Sequence, residues 1–292
     1  MIKISIIIPV YNDPEGLEGT LESLLAQSRT LDDVEILVVD NNSNDTATPA
    51  VLEDYARRFP GLIRPMEERR RQSSYAARNT GIQAARGDLL AFIDAGCVAW
   101  KDWLREGLAA LEASGAAMAA GAVRFTFEGD KPNFWGYFDA SRKLNQKAYA
   151  AAGFGATANI FIARRVFDQY GLFRDDLISG GDYEFGRRAT DAGEGLVYAE
   201  KAGVDHPARD SFHAIVKKTR RIAMGQAILE KGGDLQNSSL SIRLLVPCFR
   251  SPGLPGHSLP WPYRVIYPVM RTVFTYYSIW MRVRFYKDYV DR

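Results

Sequence analysis

The sequence predicts an α/β fold, a mostly parallel sheet flanked by helices, with a helical C-terminal extension. Three observations carry the prediction. Short apolar runs bounded by turn residues alternate with amphipathic stretches as far as residue 127, the pattern of strands joined by crossover helices. Residues 89–93 form an unbroken apolar run that stops at Asp94, and the strand-like stretch 34–39 likewise ends at an acid, Asp40. Runs this short and continuous read as strands covered on both faces. Beyond residue 128 the alternation loosens, and beyond Arg209 long helical patterns take over.

Taken in order, residues 2–10 read as the first strand. Residues 14–27 read as a helix, capped by Asp13, opened by Pro14 and carrying Leu17, Leu21, Leu24 and Leu25 on one face. A second strand at 34–39 ends at Asp40, the polar turn 41–45 follows, and a helix spans 46–59. Residues 62–65 form a weak third strand and 67–71 a charged loop. Residues 73–86 read as an alanine-rich helix that Gly81 weakens. The strand at 89–93 delivers Asp94, residues 100–113 are helical, and 116–127 form a strand. Further on, helices are expected at 134–151, 164–170 and 182–192, with strands at 158–163 and 195–199. The last of these leads into a loop holding Asp205, His206 and Pro207.

Ligands of open α/β sheets bind outside the carboxyl ends of the strands. Asp40 and Asp94 both fall on that edge. Either acid alone could serve only as a cap or turn residue. Two of them beside a polar loop suggest a nucleotide-sized polar site. No G-x-G-x-x-G follows the first strand and no phosphate loop is present, which argues against dinucleotide enzymes and P-loop NTPases. Asp182 and Glu184 open a helix after a glycine turn, where negative charge is favoured and where simple capping is the competing reading. His206 precedes a proline, and a lone histidine there could be structural or functional.

Composition narrows the classes. With 37 basic and 35 acidic side chains the net charge is +2, so no global basic field points to nucleic acid. Cys97 and Cys248 lie far apart, which fits a reducing compartment rather than a disulfide scaffold or zinc cluster. The apolar start, residues 4–10, reads as a buried strand rather than a leader. No stretch of 18 residues lacks a charge. The nearest, 265–281, contains Arg271.

Several segments together resemble the family 2 glycosyltransferases of GT-A fold. They are Ser5 to Asn12; Glu35 to Ser43 with Asp45 and Thr46; Ala77-Arg78-Asn79-Thr80-Gly81 with Ala85-Arg86-Gly87-Asp88, running into Phe92-Ile93-Asp94-Ala95; Asn159 to Arg164 with Phe167, Gly171 and Phe173; Gly181-Asp182-Tyr183-Glu184-Phe185 with Arg187; and His206-Pro207-Ala208-Arg209. The resemblance covers roughly residues 3–210. It implies a Rossmann-like GT-A domain over 1–210, with a nucleotide-binding half to about 127 and an acceptor half from 128, and a mainly helical extension over 211–292.

The resemblance also implies roles. Pro9 and Tyr11 would line the nucleobase pocket, Asp40 would accept a hydrogen bond from the base as suits uracil, and Arg78 would sit near the nucleotide. Asp94 matches the first acid of the Asp-x-Asp metal motif. His206 would approach the metal or diphosphate. Asp182 matches the base that takes the acceptor proton, with Glu184 in reserve. The expected activity is inverting transfer from a nucleoside-diphosphate sugar, UDP-linked, to a hydroxyl of a saccharide or lipid-linked acceptor in polysaccharide or glycolipid synthesis, aided by Mg2+ or Mn2+.

One departure matters. Gly96 stands where the motif's second acid belongs. Three readings follow: a metal site with one fewer acid, leaving-group stabilisation by arginine and helix dipoles, or a non-catalytic nucleotide-sugar-binding module. A nucleotidyltransferase ranks below these, because no glycine-rich entry with a basic residue follows the first strand.

In the extension, residues 212–231 read as a helix bearing Lys217, Lys218, Arg220 and Arg221, and 247–262 as a proline-rich linker. Over 264–286, Arg264, Arg271, Thr275, Ser278 and Arg282 share one stripe of an otherwise apolar, aromatic helix. Such a helix suits either a membrane interface or packing on protein, including a second copy through residues 262–290. The expected location is the cytoplasm, with peripheral contact on the inner membrane face under the first alternative.

Overall fold

The computed structural model describes residues 1–129, 131–142, 144–233, 254 and 260–290, with side chains up to residue 286. Most of the proline-rich stretch 247–262 lies outside the described residues. The chain divides into two compact units. The first comprises residues 1–124, 145–176 and 181–206; the second comprises 125–144, 177–180 and 207–292. Segment 125–144 therefore groups with the helical extension rather than with the expected acceptor half.

In chain order the elements are β1 (Ile4–Val10), α1 (Pro14–Leu25), β2 (Val34–Asp40), α2 (Ala47–Arg58), β3 (Ile63–Glu67), α3 (Ser74–Ala84), β4 (Leu89–Ile93), β5 (Val98–Ala99), α4 (Trp103–Ser114), β6 (Met118–Thr126) and α5 (Phe134–Ser141). They continue with α6 (Gln146–Ala151), β7 (Asn159–Ala163), α7 (Arg164–Tyr170), α8 (Gly181–Asp191), β8 (Leu196–Pro207), α9 (Phe212–Lys231) and α10 (Trp261–Val290).

The sheet runs β3-β2-β1-β4-β7-β6-β8-β5. Its first four strands are parallel, with Val10 opposite Asp40 and Ile7 opposite Phe92. From β7 on, the β4–β7, β7–β6 and β8–β5 pairs are antiparallel. The sheet is thus mixed, and its parallel half is the one the alternating pattern foretold. Every residue of β1 and β2 is buried. Leu17, Leu21 and Leu24 of α1 join Ile4, Ile6 and Ile8 in the core under one face. Each such side chain contributes about 1.5–3 kcal/mol by leaving water.

The other face of β1 explains Gly81. A Cβ at that position would lie 2.7 Å from Ile7 Cγ2. The glycine weakens the isolated helix but lets α3 settle closely on the sheet. Two buried polar groups complete the frame. Glu35 lies within the parallel sheet, fully buried. Burial alone would raise its pKa, but hydrogen bonds from Ser5, Arg86 N–H and Arg64 outweigh that and hold it below the usual range. Asn159 ties the antiparallel half: its Nδ2 donates to the carbonyls of Ala122 and Ala202, each at 2.8 Å, and its Oδ1 accepts from Trp103 Nε1.

Several boundaries differ from expectation. The helix foreseen at 134–151 is two helices, because Asn145 caps a new one by accepting from Ala148 N–H. The expected strand at 195–199 continues to Pro207, so His206 lies inside a strand and not in a loop. α4 begins at Trp103 because Val98–Ala99 first pair with β8.

In the second unit, α5, α9 and α10 share an aromatic core of Phe134, Tyr137, Phe138, Ile215, Tyr267 and Phe274. Within it, Ser141 Oγ and Tyr267 Oη lie 2.7 Å apart. Asp139 is 1% exposed and is met by Lys218 Nζ at 2.6 Å and Arg209 at 3.4 Å. Burial would raise the Asp139 pKa, and those two cations reverse the direction.

Candidate active site

The site forms at the carboxyl ends of β1, β2 and β4 in the first unit. The parallel register places Pro9 and Val10 beside Val39 and Asp40. Tyr11 follows at the edge and is exposed. The loops after β1 and β2 are then stitched together. Asn12, with φ +49°, donates from Nδ2 to Asn44 at 2.6 Å and accepts from Asn44 N–H at 2.8 Å. Asp40 Oδ1 accepts from Ser43 N–H at 3.1 Å and from its hydroxyl at 2.5 Å. Tyr11 and Asp40 thus flank one rigid polar edge.

Helix α3 connects this edge to the rest of the site. Its N-cap residue is Ser73. Asn41, oriented by its hydrogen-bond partners, donates to Arg71 C=O and accepts from Ser73 N–H. Arg78, 3% exposed, donates to Asp94 Oδ1 at 2.5 Å. Its Nε is buried without a hydrogen-bond partner. The Arg78 guanidinium also lies over the Tyr75 ring, 5.4 Å from its centroid. Tyr75 Oη donates to Asp182 Oδ1 at 3.1 Å. Residues three apart share a helix face, so Tyr75 and Arg78 on one face of α3 hold Asp182 and Asp94.

Asp182 sits in the first turn of α8, where its Oδ1 also accepts from Tyr183 N–H at 3.0 Å. A Cβ at Gly181 would approach the Tyr75 ring to 3.0 Å, so the glycine lets the start of α8 lie against that ring. Beside Asp182 stands an aromatic wall. Tyr149 stacks on Phe154 at 4.6 Å, and Phe154 meets Tyr183 edge-on at 5.1 Å. Burial, and then the Asp182 charge, push the Tyr149 hydroxyl up. Glu184 differs from Asp182. It is 8% exposed, and Arg188 engages both its carboxylate oxygens, at 2.8 and 2.9 Å. Arg188 also donates to the carbonyls of Tyr170 and Leu172, so the pair anchors α8.

The turn after β4 explains Gly96. Cys97 N–H donates to Asp94 C=O, and Gly96 has φ +87°. Type II turns place glycine at this third position, where an aspartate would be strained. His206 lies one step beyond Asp205, which pairs across the ladder with Val98. The strand therefore carries His206 toward Cys97 and the Asp94 turn. Asp205 itself is held by Trp100 Nε1 at 3.0 Å and by both faces of the Arg124 fork.

Among the described residues, no cluster of three or more His, Cys, Asp or Glu side chains could hold a metal. The donors that could face a divalent ion are Asp94, whose carboxylate Arg78 shares and which is 34% exposed, and His206. Magnesium is often held by one or two carboxylates plus substrate phosphates and water. The residues fit an ion that arrives with a diphosphate, and they do not fit a closed protein cage.

Three residues important to this arrangement were not singled out in the sequence. Tyr75 was one tyrosine in an alanine-rich helix, although its spacing from Arg78 carried the signal. Asn79 locks α3 to Phe173 through paired hydrogen bonds to its backbone. Glu68, in the charged loop, accepts from Thr80 and from the N–H groups of Arg70 and Arg71. Burial opposes its ionisation, yet these bonds hold its pKa down to about 2.

Known proteins share this arrangement of elements. A mannosyltransferase of Pyrobaculum calidifontis, solved with GDP-Man and Mn2+, superposes with a TM-score of 0.63 at 17% identity, over 97% of this chain and 73% of that one. Staphylococcus aureus TarS 1-349 with UDP-GlcNAc gives a TM-score of 0.57 at 20% identity, over 78% of this chain and 67% of that one. In sequence, glycosyltransferase AglE of Haloferax volcanii is 34% identical over 223 residues, which is 76% of this chain and 72% of AglE. The putative glycosyltransferase EpsH of Bacillus subtilis is 36% identical over 104 residues, about a quarter of its own length (26%). The profile of glycosyl transferase family 2 matches residues 5–171. With that match spanning more than half its length, the chain belongs to glycosyl transferase family 2 and is a glycosyltransferase of GT-A-type fold.

Proposed function

We propose that the chain moves a sugar from a UDP-linked donor to a hydroxyl of a saccharide or lipid-linked acceptor, with inversion at the anomeric carbon. The observation that carries this reading is the bridge made by α3: Arg78 on Asp94 and Tyr75 on Asp182, one turn apart. On this reading Arg78 and Asp94 are the donor-side charge pair and Asp182 the acceptor-side carboxylate, both contacted from one face of α3.

Each residue then has a task. Tyr11 and Pro9 border the base, and Asp40 accepts its imide N–H. Arg78, whose guanidinium already meets Asp94, supplies donors to the diphosphate. The acceptor oxygen attacks the anomeric carbon while the bond from that carbon to the diphosphate breaks, and the diphosphate leaves with the electron pair. Asp182 takes the acceptor proton as the new bond forms. Tyr149, Phe154 and Tyr183 offer ring surfaces to the acceptor sugar. Glu184 stays with Arg188, and so Asp182 is preferred as base. A divalent ion bound with the donor, contacting Asp94 and His206, would add charge stabilisation to the leaving diphosphate. Nucleotide sugars bound to the mannosyltransferase and to TarS support the donor class, and they differ in base. Such an enzyme would serve polysaccharide or glycolipid synthesis.

Calorimetry with UDP- and GDP-sugars, each with Mg2+, Mn2+ or chelator, tests the reading. Saturable binding of a UDP-sugar with Kd below about 1 mM is expected. Binding of GDP-sugars alone would remove the UDP assignment. No binding of either would remove the donor class.

A further inference from the structure

Helix α10 has two unlike faces. Tyr267, Phe274 and Met281 recur every seven residues and are buried. Tyr267 and Phe274 join the aromatic core shared with α5 and α9. The opposite face carries Val265, Val269, Val273, Tyr276, Trp280 and Val283, all exposed. Their steps of three and four residues keep them on one stripe of a helix. Val269 is 59% exposed and Trp280 53%. From residue 265 to 283 the stripe is about 27 Å long at 1.5 Å per residue. A continuous apolar strip of this kind marks a surface that meets a partner.

Charge identifies the partner. Between residues 261 and 286 there are four arginines, Arg264, Arg271, Arg282 and Arg284, and no acid. α9 adds the exposed Lys217, Arg220, Arg221 and Lys231, while its Lys218 is held by Asp139 and its one acid, Glu230, already pairs with Arg282. The whole chain carries only +2, so the basic excess is concentrated on these two helices. A second copy would bring two positive faces together, which like-charge repulsion opposes. An anionic surface removes that repulsion. Trp261, Tyr276, Trp280 and Tyr286 are the residue types that settle where hydrocarbon meets water. No helix among the described residues is long and apolar enough to cross a membrane.

We propose that the exposed stripe of α10 docks in the interfacial plane of an anionic lipid bilayer. The apolar side chains enter the headgroup boundary, and the exposed Arg264 and Arg284, near the two ends of the stripe, reach to lipid phosphates. This docking surface is separate from the transfer reaction, and its test does not need activity.

Full-length protein would be floated with vesicles of phosphatidylcholine alone and of equimolar phosphatidylcholine and phosphatidylglycerol. Flotation is expected with the mixed vesicles, weak with the neutral ones, and reduced by salt. The triple variant Val269→Glu, Val273→Glu and Trp280→Glu should lose roughly tenfold or more of the partitioning. These side chains are exposed, so its thermal melt should match that of the parent. Trp280→Ala serves as a milder second variant, expected to reduce partitioning with the fold kept. Failure of the parent to float, or equal flotation of parent and folded variants, would overturn the proposal. So would a vesicle-independent dimer in light scattering that the triple variant dissociates, or an acidic protein that captures the stripe while vesicles do not.

Discussion

The two units solve the problem of buried polarity in opposite ways. In the first, acids and amides are spread along one sheet edge and joined through α3: Asn41 at its cap, Tyr75 to Asp182, Arg78 to Asp94, Asn79 to Phe173. In the second unit the buried charges among the described residues gather in one knot, Asp139 with Lys218 and Arg209, beside an aromatic helix layer. That knot serves cohesion, while the unit's outer surface is left apolar and basic. A buried charge pair can thus serve packing alone, as Asp139 with Lys218 does, and the proposed site rests instead on the acids grouped at the carboxyl ends of β2 and β4.

The largest expected effect is on the knot. Asp139→Asn leaves two cations without their carboxylate, and breaking such a buried pair costs about 3–5 kcal/mol. Urea unfolding followed by the aromatic fluorescence of the second unit should show it. Nucleotide-sugar affinity in the folded protein should not change, and a parallel loss there would blur the division between the units. Asp40→Ala should weaken donor binding by about 10- to 100-fold, the worth of one hydrogen bond to a charged group. Melting temperature should move little. Calorimetry that finds unchanged affinity would take Asp40 out of the base pocket. The smallest effect is expected for Tyr75→Phe, which removes one hydrogen bond to Asp182 and keeps the ring under Arg78. The turnover number should fall about five- to tenfold while donor KM holds. A rise in donor KM with steady turnover would mean that Tyr75 acts on the donor side instead.

Most of the parallel half was legible in the sequence. β1, β2 and β4 are short, mostly apolar runs because both faces are covered, and the acids that end β2 and follow β4, Asp40 and Asp94, mark the edge. Asp40, Asp94 and Asp182 are legible from pattern and resemblance, and in the structure the partners of Asp94 and Asp182, Arg78 and Tyr75, both lie on α3. Other features were not legible, for local reasons. β3 carries Arg64 and Pro65 in an edge strand, which hid its true extent of Ile63–Glu67. The helix break before α6 depends on Asn145 acting as a cap, and a cap is read only with the next helix known. β8 runs through Glu200 and Lys201, an exposed pair that mimics a turn. Gly96 looked like a lost metal ligand. The structure adds that its backbone sits where glycine is favoured, so the absence of an acid has a conformational counterpart.

We propose that α3, through Tyr75, holds Asp182 ready to take the acceptor proton, on the same helix face that engages Asp94. Asp182→Asn tests it most directly, measured by sugar transfer and by donor calorimetry on the same preparation. Transfer is expected to fall by about 100- to 10,000-fold, with donor affinity within about twofold of the parent. Near-normal transfer by the variant would contradict it.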